Sequence, residues 1–129
     1  MIARPVSAAL SGRSVLVVED QFLIAEEMRR AVENLGGRVL GPVPSVERAL
    51  ALTEQTRPDI GLLDVDLHGQ EIYPVADALI EAGAPVIFTT GFDRAAMPAA
   101  YQGVPHLDKP VTTHALAAAL AALQQSART

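Results

Sequence analysis

The chain has 129 residues, half of them apolar, with no Cys, no Trp and a net charge of −5. That length suits one compact domain of ~100–150 residues, and the apolar content is too high for intrinsic disorder. Missing cysteines exclude disulfides, thiolate metal sites and thiol nucleophiles, and the acidic balance argues against nucleic acid or anionic membrane as a partner. Apolar runs are strand-sized, far short of the ~20 residues that span a bilayer. Met1–Arg13 is too weak a pattern for a secretory signal, so a cytoplasmic protein is expected.

Taken in chain order, β-branched apolar runs alternate with helical periodicity. Ser14–Glu19 reads as a buried strand ending in acid. Ile24, Met28, Ala31 and Leu35 then mark one helix face, stopped at Gly36–Gly37. Arg38–Val43 is a second strand, and Ser45 caps a helix carrying Val46, Ala49, Leu50 and Thr53 inward until Arg57–Pro58. Asp59–Asp64 is a third strand, again closed by a carboxylate, and a third helix begins near Pro74. Pro85–Thr90 is the fourth strand. From Gly91 to Gly103 the periodicity is poor, and Pro98 permits at best a short irregular helix. Val104–Leu107 is the fifth strand, and Thr112 or Thr113 caps a last helix bearing Leu116, Leu120 and Leu123.

Five strands alternating with helices predict a (βα)5 α/β fold, a doubly wound parallel sheet with right-handed crossovers. The expected domain covers residues 14–124, with residues 1–13 and 125–129 as loose tails.

Ligands of such sheets bind at the carboxyl ends of the strands. There the sequence places Glu19–Asp20, Asp64, Thr90–Gly91 and Asp108–Lys109–Pro110. Taken singly, each has an ordinary explanation, such as acids opening a helix or Lys–Pro forming a turn; their joint placement favours a site. Two carboxylates ~5 Å apart repel by ~3 kcal/mol at an effective dielectric of ~20. Glu19, Asp20 and Asp64 set against Lys109 therefore either raise a pKa or bind a divalent cation. Oxygen ligands without His or Cys favour Mg²⁺ or Mn²⁺, and a carbonyl from the loop after Asp64 offers one more ligand. Asp64, alone at a central strand end, is the expected nucleophile toward a phosphoryl group. Lys109, the Thr90 hydroxyl and nearby backbone N–H groups would take the phosphoryl oxygens.

With these residues in this order, the sequence resembles the receiver domain of two-component response regulators over roughly Ser14 to Leu123. The resemblance implies a flavodoxin-like strand order 2-1-3-4-5. It implies that Asp64 accepts phosphate from a phosphohistidine of a sensor histidine kinase, with Mg²⁺ on Glu19, Asp20, Asp64 and the Asp66 backbone carbonyl, while Thr90 and Lys109 read the phosphoryl group. The output would pass through protein contacts to a downstream partner, with room for a homodimer. Phe88–Thr–Thr–Gly–Phe92 is similar to the Phe-x-Thr-Gly-apolar-Tyr signature of a divergent, often stand-alone subgroup, except that Asp93 replaces the Tyr. His68 stands where most receivers have Pro, and His106 where most have Tyr or Phe. These departures put the usual Thr–aromatic rotation aside in favour of repacking within Phe88–Gly103. Phe22 and Leu23, if exposed, would form an apolar anchor for a kinase helix pair. A competing reading is a haloacid-dehalogenase-like phosphatase using Asp64-x-Asp66, although that family's nucleophile strand comes first and its acidic pair late.

Overall fold

The computed structural model describes residues 9–91 and 97–128. Five parallel strands, β1 (Ser14–Val18), β2 (Arg38–Val43), β3 (Ile60–Asp64), β4 (Val86–Thr90) and β5 (His106–Asp108), form one sheet in the order β2-β1-β3-β4-β5. The helices are α1 (Phe22–Asn34), α2 (Val46–Thr56), α3 (Tyr73–Glu81) and α4 (Thr113–Arg128). This is the predicted doubly wound fold, including the short irregular helix expected around Pro98. Between β4 and β5 the described residues hold a single 3₁₀ turn, Ala99–Tyr101, directly after Pro98. Phe92 and Asp93, the end of the expected signature, lie outside the described residues.

Local chemistry explains the helix boundaries. Ser45 Oγ accepts the Arg48 N–H at 3.3 Å and starts α2, while Arg57 stops it in a left-handed conformation at φ 53°. Thr112 Oγ1 accepts the Ala115 N–H at 3.0 Å, which settles the choice between the two threonines before α4. Pro74 sits in the first turn of α3, where a missing N–H costs nothing.

The sheet separates two apolar cores. Val15, Val17, Leu62, Ile87 and Leu107 face α1 and α4, meeting Met28, Val32, Leu116 and Leu120. Leu16, Val18, Leu63 and Phe88 face α2 and α3, meeting Ala49, Val75 and Leu79. A Cβ on Gly61 would overlap Leu79 Cδ1, so glycine lets α3 lie close on β3. Leu10 corrects the expected loose start of the chain: it is 1 % exposed within the α1/α4 core, and its N–H donates to Leu35 O at 2.8 Å. At the other end, α4 continues as helix through Arg128, beyond the expected boundary at residue 124.

Candidate functional site at the carboxyl edge of the sheet

Glu19 follows β1, Asp64 closes β3, Thr90 closes β4 and Lys109 follows β5, so the fold brings all four to one edge. Parallel register fixes their depth: Val18 pairs with Leu63 and Asp64 with Thr89. Glu19, Asp64 and Thr90 are buried, and Asp20 and Asp66 are half-buried at the rim.

Lys109 organises the charges. Its Nζ lies 2.9 Å from Asp64 Oδ1, 3.1 Å from Glu19 Oε1 and 3.8 Å from Asp66 Oδ2. The lysine leaves β5, yet its ammonium reaches residues of β3 and β1, so its stem must cross the end of β4. The Glu19 contact is an ion pair without hydrogen-bond alignment, for Glu19 Oε1 has no hydrogen-bond partner among the described residues. Backbone donors fix the carboxylates: Gln21 N–H reaches Glu19 Oε2 at 3.1 Å, and Asp66 N–H reaches Asp64 Oδ1 at 2.9 Å.

Burial drives the Glu19 carboxyl up to about 7, with the Asp64 charge adding to the rise and the Gln21 N–H and Lys109 opposing it. Burial likewise pushes Asp66 upward, against the pull of the Gly91 N–H. Burial also works to raise Asp20, but two hydrogen bonds from His68 outweigh it and hold that carboxyl low. Lys109 loses solvation, and its attraction to the Asp64 and Glu19 carboxylates more than restores its preference for the charged form.

Four buried carboxylate oxygens, Glu19 Oε1, Asp20 Oδ1, Asp64 Oδ2 and Asp66 Oδ1, have no hydrogen-bond donor among the described residues. Oxygens left so are costly unless a cation or donor joins them. One ligand oxygen each from Glu19, Asp20 and Asp64 falls within 4.8 Å of the others, a hard-oxygen set that fits Mg²⁺ or Mn²⁺.

Three features escaped the sequence reading. Asp66, expected to offer its backbone carbonyl, turns its side chain into the site, where Oδ2 accepts the Gly91 N–H at 2.8 Å. His68 clasps Asp20 through its ring Nδ1 at 2.9 Å and its N–H at 3.3 Å. Thr89, rather than Thr90, carries a fully buried hydroxyl with no partner among the described residues. The two-residue period of a strand held the signal for it, since Thr89 shares the Ile87 face. His106 is half-buried, with Nε2 2.9 Å from Met97 Sδ and its ring tilted against Phe88. Phe22 and Leu23, beside the acidic pair, are 74 % and 75 % exposed.

Residues 15–121 match the family model for the response regulator receiver domain. The chain belongs to the response regulator receiver family. Over 112 residues this receiver is 43 % identical to the positive alginate biosynthesis regulatory protein of Pseudomonas aeruginosa, covering 83 % of the chain and 45 % of that protein. It is 33 % identical over 88 residues to the phyllosphere-induced regulator PhyR of Methylorubrum extorquens, covering 66 % of the chain and 33 % of that protein. The receiver thus spans less than half the length of these curated relatives. Among solved structures, SdrG from Sphingomonas melonis is 38 % identical with a TM-score of 0.78, covering 90 % of this chain and 98 % of SdrG. A beryllofluoride-activated SdrG structure is 39 % identical with a TM-score of 0.74, covering 85 % of this chain and 94 % of that one. Receiver membership leaves the dehalogenase-type phosphatase reading unfavoured. None of the helices among the described residues is long and apolar enough to cross a membrane.

Proposed function

We propose that the chain accepts a phosphoryl group on Asp64 from the phosphohistidine of a sensor histidine kinase. The observation that carries this is the asymmetry of Asp64. Its Oδ1 is held by Lys109 and the Asp66 N–H, while its Oδ2 is buried with no hydrogen-bond donor among the described residues. One oxygen is clamped and the other remains as the nucleophile. In the transfer, Oδ2 forms a bond to phosphorus as the phosphorus–nitrogen bond of phosphohistidine breaks, and the departing imidazole takes a proton from water. The Thr90 hydroxyl, the Gly91 N–H and Lys109 receive phosphoryl oxygens at the developing charge. Mg²⁺ or Mn²⁺, held by Glu19, Asp20, Asp64 and the Asp66 carbonyl, would supply neutralisation of the phosphoryl oxygens when bound.

The exposed pair Phe22 and Leu23 at the start of α1 is the apolar anchor for the kinase helices, within reach of the acidic edge. Output passes through contacts with a downstream protein in the cytoplasm, and a second copy of the chain is a further partner. With Mg²⁺ and acetyl phosphate, intact-mass measurement is expected to show one added phosphoryl group on the wild type and none on Asp64→Asn. Equal labelling of both proteins would overturn the assignment of Asp64.

A further inference from the structure

A phosphoryl group on Asp64 needs donors, and two of those closest to it are already engaged. Gly91 N–H donates to Asp66 Oδ2 at 2.8 Å, and Lys109 Nζ stands 3.8 Å from that same oxygen. A carboxylate oxygen thereby has a backbone amide on one side and an ammonium on the other, the surroundings a phosphoryl oxygen would require. Lys109 and the Asp66 N–H both grip Asp64 Oδ1, so the engaged Asp66 side chain borders the nucleophile itself. The other Asp66 oxygen, Oδ1, is buried with no hydrogen-bond donor among the described residues. The carboxylate is therefore half satisfied, held by one face and opposed by the neighbouring Asp64 charge.

We infer that the Asp66 carboxylate occupies the seat of the phosphoryl group as an internal anion that must leave before Asp64 can be phosphorylated. This rests on Asp64 being the acceptor. The Asp66 backbone remains in place while its side chain rotates outward, which frees the Gly91 N–H and lets Lys109 turn to the incoming oxygens. The loop after β3 thus sets how readily the site accepts a phosphoryl group. A donor must displace a competing carboxylate as well as meet the nucleophile.

The test compares wild type, Asp66→Ala, Asp66→Asn and Asp64→Asn at saturating Mg²⁺, with acetyl phosphate labelling rates and beryllofluoride affinity as readouts. Asp66→Ala empties the seat and is expected to raise both by about tenfold, the factor that ~1.4 kcal/mol of competition carries. Asp66→Asn keeps a side-chain oxygen for the Gly91 N–H without the charge, and is expected to gain less than half as much. Equal gains in the two variants would assign the effect to charge alone and overturn occupancy of the seat, as would no gain in Asp66→Ala. The Gly91 amide resonance in metal-free protein is an independent reading of the same contact. It is expected to move in Asp66→Ala as the hydrogen bond is lost, and an unmoved resonance would overturn the inference even if no protein takes label. Labelling that persists in Asp64→Asn would instead defeat the acceptor assignment, leaving the Gly91 result to decide the seat.

Discussion

Replacing Glu19 by Gln separates the cost of the acidic edge from its purpose. The Glu19 side chain is enclosed, and burial beside Asp64 lifts its carboxyl from 4.5 to about 7. The native protein therefore binds a proton that the unfolded chain releases between those two values. Stability falls as pH rises through that window and levels off above about 7. At ~1.36 kcal/mol per pH unit the full cost is about 3 kcal/mol at pH 8. Glutamine has the same shape and no charge to bury. In metal-free buffer Glu19→Gln is expected to match the wild type near pH 4.5 and exceed it by up to about 3 kcal/mol at pH 8. For a domain of this size that is on the order of 10 °C in Tm. His68, whose ring is raised by its bond to Asp20, also loses stabilisation as pH climbs above 6.5, but it is present in both proteins and cancels in the comparison. Millimolar Mg²⁺ should narrow that gap. The wild type gains about 2.7 kcal/mol at a hundredfold excess over its Kd, and the variant, short of one ligand, gains less. Paired melting curves across pH, with EDTA or Mg²⁺, measure both effects. Parallel pH profiles without metal, or a variant less stable at pH 8, would refute the claim that Glu19 is held at a cost.

Two further substitutions probe features away from the acids. Thr89→Val removes a buried hydroxyl with no partner among the described residues and preserves shape, so urea unfolding should show a gain of about 1 kcal/mol; a loss of that size would mean the hydroxyl has a bound partner in solution. Leu10→Ala is expected to cost about 3 kcal/mol in the same assay, because the side chain lies sealed against α1 and α4. A cost under about 0.5 kcal/mol, as at an exposed position, would place Leu10 outside the core.

Strands and helix faces were readable because each local preference agrees with the global packing. Val15–Val18, Leu62–Leu63 and Val86–Phe88 are continuous apolar runs because both sides of the sheet are covered. The acidic edge was readable for the same reason: a buried strand that ends in a carboxylate leaves that group at the sheet's rim, whatever the loop does next. Features set by loop geometry were not. The direction of the Asp66 side chain depends on the backbone path after β3 and on an amide from the loop after β4, distant in sequence. The His68 clasp on Asp20 likewise joins two loops that share no period. Leu10 was missed because one apolar residue in a polar stretch carries no repeat, and its burial comes from a backbone hydrogen bond to the end of α1. The unusual fourth crossover was half visible, since Pro98 ruled out a regular helix without saying what replaces it.

Strand β4 acts as a party wall. Phe88 leans into one compartment, where its ring meets Tyr73 and Tyr101 edge-on and those two stack at 4.4 Å, while the next residue, Thr89, looks into the opposite compartment alongside Ile87. A small shift of this strand at its carboxyl tip would therefore be felt on the two outer surfaces of the molecule at once. Two binding partners could sense the same event from opposite sides without competing for the same patch.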